Sequence, residues 1–71
     1  SIDQRLVEES SIVIVPEAVA RRGPMDESQS AFTVHDGAEL TVVARDGDWL
    51  QVSGASRQTG WLPQKDVALM P

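Results

Sequence analysis

Turn-forming residues divide the chain, from about residue 12 onward, into short stretches in which apolar and polar residues alternate. In Leu40–Arg45, for example, Leu40, Val42 and Ala44 fall on one face of an extended chain. A period of two places successive side chains on opposite faces of a strand. Strand-like stretches that recur roughly every eight to twelve residues favour a small barrel over a helical bundle. The sequence therefore predicts an all-β fold of short antiparallel strands.

The strands and turns can be placed along the chain. The predicted strands are Ile12–Val15, ended by Pro16, a short resumption at Ala18–Ala20, Phe32–Val34, Leu40–Arg45, Trp49–Val52, Thr59–Leu62 and Val67–Met70. Residues 21–31 form a long loop, His35-Asp36-Gly37 a turn, Asp46-Gly47 a tight hairpin and Ser53–Gln58 a polar hairpin loop.

The N-terminal residues lack a strand pattern. Ile2, Leu6 and Val7 have helix-like offsets, but the run is too short to form a stable helix alone. We therefore expect residues 1–11 to be a tail or linker of a longer protein and residues 12–71 to be one domain. A chain of only 71 residues has a thin core, and without cysteine it has neither disulfides nor thiolate metal sites.

Charge and hydropathy exclude two classes of partner. Eleven acidic residues against six basic ones give a net charge of -5, which repels a polyphosphate, so the sequence predicts no nucleic-acid binding. No apolar run approaches the roughly 18 residues of a membrane span, so direct membrane insertion is not expected. Arg21, Arg22 and Arg57 could form a small basic spot, although solvated loop charges are the simpler interpretation.

The two tryptophans, with Phe32, are the only aromatic residues. Trp49 alternates with Leu50 and Val52, so its ring points away from the face that these two residues bury. Trp49 could cover the mouth of the barrel or anchor a peptide or glycan, and both readings stay open. For Trp61 we expect a place in the core, because one indole would supply much of the area of a thin core.

No pattern of residues points to catalysis. His35 is the only histidine, so a metal site would depend on carboxylates alone. The acidic groups Asp46-Gly47-Asp48 and Asp26-Glu27 fit turn chemistry better than an acid/base pair or a calcium loop. No serine has a nucleophile-elbow setting and no glycine-rich phosphate loop is present in the sequence. We therefore expect no enzymatic activity, no metal and no cofactor.

From about Ile12 to Pro71 the chain resembles bacterial SH3-like domains. The residues that carry the resemblance are Val19, Arg21, Gly23-Pro24, Phe32, Gly37, Leu40, Val42, Trp49, Val52 and Gly60-Trp61-Leu62. The sequence around Phe32–Gly37 and Asp48-Trp49 is most similar to the C-terminal module of bacterial tetratricopeptide-repeat proteins of aerotolerance-type operons. The resemblance implies an SH3-like barrel of about five strands in two packed sheets. It also implies a cell-envelope or periplasmic parent protein.

The resemblance also implies where a ligand would bind. In eukaryotic relatives a tryptophan and a proline line a groove for proline-rich peptides, and Trp49 and Pro63 occupy the matching positions. The tyrosines of that groove correspond to Ala20, Arg22 and Asp66, so ordinary proline-rich recognition is not implied. The predicted groove consists of Arg22, Asp26, Asp48, Trp49, Pro63 and Asp66.

Two functions of different classes follow from this resemblance. The first is a non-enzymatic interaction module that binds a protein or peptide, or a cell-wall glycopeptide of peptidoglycan. The second is a structural accessory domain that packs against its own parent chain. Partial exposure of Trp49 is the feature that favours the first.

Overall fold

The computed structural model describes residues 9–54 and 57–70, which form seven antiparallel strands and one turn of 3₁₀ helix. The strands are β1 Glu9–Val13, β2 Glu17–Arg21, β3 Ser30–His35, β4 Glu39–Asp46, β5 Trp49–Ser53, β6 Thr59–Pro63 and β7 Val67–Leu69, and the 3₁₀ turn is Gln64–Asp66. This confirms the predicted all-β class. The strands follow a single hydrogen-bonded order, β3-β2-β6-β5-β4-β1-β7, with seven strands where the resemblance implies about five.

The core lies on one face of this sheet, which curves so that strands from both of its halves contribute to one cluster. The buried apolar residues are Val13, Ala18, Ala20, Leu40, Val42, Leu50, Val52, Leu62 and Val67. Leu50, Val52 and Leu62 have no exposed surface at all, whereas their neighbours in β5 and β6 are half-buried or exposed, apart from buried Gly60. Full burial of one such side chain contributes about 1.5 to 3 kcal/mol. Aliphatic residues, and not the three aromatic ones, therefore form the centre of the domain.

Strand β1 begins earlier than the sequence predicts. It runs Glu9–Val13, whereas the predicted strand was Ile12–Val15, so Glu9 to Ser11 belong to the sheet and not to a tail. Ser11 is fully buried, and its Oγ donates a hydrogen bond to the carbonyl oxygen of Leu40 at 3.0 Å. A small hydroxyl that bonds a carbonyl oxygen of the neighbouring strand can occupy a core position without an unsatisfied polar atom. Residues 1–8 of the predicted tail lie outside the described residues.

Two predicted turns have the backbone that glycine permits. Gly37 has φ +90° in the turn between β3 and β4, and Gly47 has φ +61° in the turn between β4 and β5. Asp46 pairs with Trp49, so Gly47 and Asp48 form a two-residue hairpin turn in which the first residue needs positive φ, as in type II′. The predicted tight hairpin is confirmed, and it fixes Trp49 as the first residue of β5.

A β-bulge in β4 removes Ala44 from the face that Leu40 and Val42 share. Leu40 and Val42 are buried as expected, but the pairing with β5 shifts between Val42 and Ala44. The extra residue, Val43, puts Ala44 out of step with the inward positions. Ala44 is exposed, so the prediction that it shares one face with Leu40 and Val42 was wrong.

Strands β2 and β6 approach each other closely at Gly60. A Cβ atom added to Gly60 would lie 2.7 Å from Ala20 Cβ and 3.3 Å from the carbonyl oxygen of Arg21. Ordinary carbon–carbon contacts are about 3.5 to 4.0 Å, so only glycine fits at this position without movement of a strand. Gly60 therefore lets β2 and β6 pack closely at this point.

Candidate ligand-binding groove

The groove begins with a cross-strand pair on the outer face of the sheet. Trp49, the first residue of β5, pairs with Pro63, the last residue of β6. The residues that follow and precede them, Leu50 and Leu62, also pair and are fully buried. Because side chains alternate along a strand, Trp49 and Pro63 face outward together, and both are half-buried. The predicted orientation of Trp49 is confirmed.

An open depression of about 390 Å³ surrounds this pair. It is lined by Asp26, Asp48, Trp49, Pro63, Gln64 and Lys65. These residues come from three segments: the loop between β2 and β3, the β4–β5 turn, and the end of β6 with the 3₁₀ turn. We call this depression the tryptophan groove.

Two backbone hydrogen bonds and one from an arginine side chain hold the three segments in place. The amide of Gln64 donates to the carbonyl oxygen of Asp48 at 2.8 Å, which ties the 3₁₀ turn to the β4–β5 hairpin. In the β2–β3 loop, the amide of Arg22 donates to Gln29 O at 2.8 Å and Arg21 Nη1 donates to Ser28 O at 2.9 Å. These bonds join the two ends of the loop that carries Asp26, and they fix the position of the loop ends next to the sheet.

The groove combines an apolar ring with charges of both signs. Asp26 and Asp48 are exposed carboxylates, and Lys65 is an exposed ammonium group. The half-buried indole and Pro63 offer an apolar surface on which a chain can lie, and the carboxylates can accept hydrogen bonds from a ligand. An open, shallow site of this kind suits a segment of polypeptide that crosses the surface.

The structure brings together four of the six residues assigned to the groove from the sequence. Asp26, Asp48, Trp49 and Pro63 line the same depression. Arg22 lies elsewhere, in a second depression that it lines with Ala31, Gln58 and Thr59. Asp66 is half-buried at the end of the 3₁₀ turn, where its carbonyl oxygen accepts a hydrogen bond from the amide of Ile14 at 3.0 Å, and it is not among the lining residues. Matching a residue to a family position does not fix where its side chain points.

Two residues that line the groove, Gln64 and Lys65, are not among the six assigned to it from the resemblance, although they lie in the sequence between two of them, Pro63 and Asp66. They follow Pro63 directly and enter the groove because the 3₁₀ turn folds back toward the β4–β5 hairpin. Their position in the sequence next to Pro63, which the resemblance assigns to the groove, is the feature that could have predicted them.

The expectation that Trp61 belongs to the core was wrong. In β6, Gly60 and Leu62 are buried, whereas Trp61 is half-buried and pairs with Gln51 on the outer face. It does not pack against the core cluster. The alternation of the strand places the ring outside, and Leu62 takes the inward position. Both tryptophans therefore lie on the outer face of the β5–β6 hairpin.

Other chemistry-bearing residues form no convergent site in the part of the chain that the structure describes. His35 is exposed at the end of β3, and no group of three or more histidine, cysteine, aspartate or glutamate side chains within residues 9–54 and 57–70 could hold a metal ion. The described residues also contain no helix of the length and apolarity that a bilayer span requires.

A small antiparallel β-domain with an open groove around an outward-facing tryptophan has the form of a binding module. A family model described as Bacterial SH3 domain matches residues 15–68. The chain belongs to the bacterial SH3 domain family. Domains of this family are typically binding modules and are generally non-catalytic. Searches of curated proteins and of solved structures gave no match.

Proposed function

We propose that this domain is a non-enzymatic interaction module that binds an extended peptide segment in the tryptophan groove. The observation that carries the proposal is the convergence of Trp49, Pro63, Asp26 and Asp48 on one open depression of about 390 Å³. Trp49 does not pack against the core cluster, so the fold has little need of a ring at this position. Half-buried tryptophans are typical anchors of binding surfaces.

The charges of the groove favour a peptide that carries a basic side chain. Two carboxylates flank the indole, against one ammonium group. At low salt the net charge of -5 adds a long-range attraction for a cationic segment, which is largely screened at physiological salt. Because the groove is exposed, these attractions weaken as salt rises.

Calorimetric titration of peptides tests the proposal. The probes are a lysine-containing extended peptide, the same peptide with glutamine in place of lysine, and a muropeptide. We expect the lysine peptide to bind more tightly than the glutamine peptide. We also expect Trp49→Ala to weaken binding by about 10- to 30-fold, which corresponds to the roughly 1.4 to 2 kcal/mol of a moderate anchor.

Matched variants separate the groove from general effects. Asp26→Asn and Asp48→Asn should each weaken binding of the lysine peptide by about two- to fivefold, within the range of exposed ion pairs. Asp36→Asn makes the same charge change in the exposed β3–β4 turn and should have little effect. If Trp49→Ala binds every probe as the wild type does, the groove is not the site. Tighter binding of the muropeptide would identify the ligand as cell-wall glycopeptide.

A structural accessory role is the second candidate. Ile14 and Leu69 are 53% and 41% exposed, and β7, which carries Leu69, is an edge strand. Such a surface could pack on the parent chain, which the resemblance suggests is a tetratricopeptide-repeat protein of the cell envelope. Docking raises the stability of the domain by mass action. Under this role, the domain should have a higher unfolding temperature within the parent protein than alone, and equal temperatures would exclude it.

A further inference from the structure

A second depression, of about 320 Å³, lies away from the tryptophan groove. Arg22, Ala31, Gln58 and Thr59 line it. Arg22 directly follows β2 and Ala31 lies in β3, whereas Gln58 directly precedes β6 and Thr59 is its first residue. Arg22, Gln58 and Thr59 are exposed. We call this depression the arginine depression.

The described residues that line the arginine depression include three hydrogen-bond donors and no carboxylate, which would repel an anionic ligand. The guanidinium group of Arg22, the side-chain amide of Gln58 and the hydroxyl of Thr59 can all donate. The amide of Arg22 is bonded to Gln29 O at 2.8 Å, which fixes the backbone from which its side chain extends.

The sequence around the arginine depression is free of acidic residues. Its lining residues come from the segments 18–25, 28–35 and 49–65, which contain no aspartate or glutamate in a chain that has eleven. These segments contain Arg21, Arg22, Arg57 and Lys65, four of the six basic residues. The lining of the depression therefore comes from three acid-free segments of a strongly acidic chain. At physiological salt, charges more than about 8 Å away are largely screened, so a ligand in the depression responds mainly to these local groups.

Arg57, the residue before Gln58, has an unusual backbone conformation. It has φ +66°, in the left-handed region, and it is the one residue other than glycine with positive φ in residues 9–54 and 57–70. Its amide donates to Gly54 O at 3.0 Å, and Gly54 N donates to Gln58 O at 2.9 Å, which together form the β5–β6 turn. Glycine or asparagine would suit this conformation better, because the left-handed region costs an L-residue roughly 1 to 2 kcal/mol. Arg57 does not line the depression, but it is the sequence neighbour of Gln58, which does, so the same segment carries a second positive charge.

We infer that the arginine depression binds the carboxylates of an acidic peptide segment. A guanidinium group matches a carboxylate with two parallel hydrogen bonds, and the neighbouring amide and hydroxyl groups can bond the remaining oxygen or the peptide backbone. This site differs from the tryptophan groove in residues and in the sign of the charge it prefers, so one domain could contact two segments at once.

Amide-shift mapping with a capped tri-glutamate peptide and a capped tri-glutamine peptide tests the inference. We expect tri-glutamate to shift the amide signals of Arg22, Ala31, Gln58 and Thr59, and tri-glutamine to leave them in place. The affinity should fall as salt rises. Inorganic phosphate is a third probe, and phosphate binding stronger than that of tri-glutamate would overturn the carboxylate assignment.

Charge-matched variants complete the test. Arg22→Gln should weaken tri-glutamate binding by about tenfold, as expected for the loss of charge-assisted hydrogen bonds. Arg45→Gln removes the same charge from an exposed position of β4 that does not line the depression and should change the affinity by less than about twofold. Arg57→Gly should weaken binding while the domain stays folded, since glycine suits the left-handed backbone. Equal effects of Arg22→Gln and Arg45→Gln, or no binding of tri-glutamate to the wild type at millimolar concentration, would contradict the inference.

Discussion

Replacing Gly60 with alanine tests the packing of β2 against β6. The new methyl group would lie 2.7 Å from Ala20 Cβ and 3.3 Å from the carbonyl oxygen of Arg21. Two methyl carbons normally approach to about 3.5 to 4.0 Å, so the overlap is close to 1 Å. Neither neighbour can rotate away, because Ala20 has no flexible side chain and the other atom belongs to the backbone. The strands must therefore separate.

The size of the effect follows from overpacking energies. Overpacking of a core by one methyl group costs about 1 to 3 kcal/mol, and we expect about 2 kcal/mol for Gly60→Ala. A domain of 71 residues has a total stability of roughly 4 to 10 kcal/mol, so the loss is a large fraction of it. In a domain of this size 2 kcal/mol lowers the unfolding temperature by roughly 8 to 16 °C. Urea unfolding followed by tryptophan fluorescence measures the free energy directly.

Gly54 supplies a matched control. A Cβ atom at Gly54 would meet Leu40 Cδ2 at 3.8 Å, an ordinary contact, so Gly54→Ala should change the stability by less than about 0.5 kcal/mol. The double variant Ala20→Gly with Gly60→Ala removes the main clash and should be more stable than the sum of the two single changes by at least about 1 kcal/mol. The packing argument is refuted if Gly60→Ala unfolds at the same urea concentration as Gly54→Ala, or if the two changes are additive.

Three further predictions concern the core and the loops. Ser11→Ala should cost about 1 kcal/mol in urea unfolding because Leu40 O loses its hydroxyl donor, and an unchanged midpoint would contradict that bond. Leu62→Ala should cost about 2 to 5 kcal/mol and Trp61→Ala clearly less, and the reverse order would return Trp61 to the core. Arg57→Gly should raise the unfolding temperature slightly, since it removes left-handed strain, whereas a decrease would show that the arginine stabilises the fold.

The sequence predicts those features of the fold that depend on local periodicity and turn chemistry. The alternation around Leu50 and Val52 is sufficient to turn Trp49 outward, and Asp46-Gly47 is sufficient to predict the hairpin before it. The same rule applied to Trp61 gives the correct face, because Leu62 is its inward neighbour. Trp61 was wrongly assigned to the core because the large area of its ring was given more weight than the alternation of side chains along β6.

Other features depend on contacts between distant segments, which no local pattern records. The bulge at Val43 is a property of how β4 pairs with β5, so the exposure of Ala44 could not be read from β4 alone. Gln64 and Lys65 enter the groove through a hydrogen bond to Asp48, sixteen residues before Gln64. The resemblance assigned Trp49 and Pro63 to the groove correctly. The pairing of β5 with β6 explains this success, because it places these two residues side by side.

The central claim is that Trp49, on the outer face of the sheet, is the anchor of the ligand site. The chain has two tryptophans, so a nitrogen-15 spectrum shows two indole signals that single substitutions can assign. During titration with the lysine-containing peptide, the account predicts a saturable shift of the Trp49 indole signal and a much smaller shift of the Trp61 signal. Saturable binding that moves the Trp61 signal, or backbone signals far from the groove, while the Trp49 signal stays in place would contradict it.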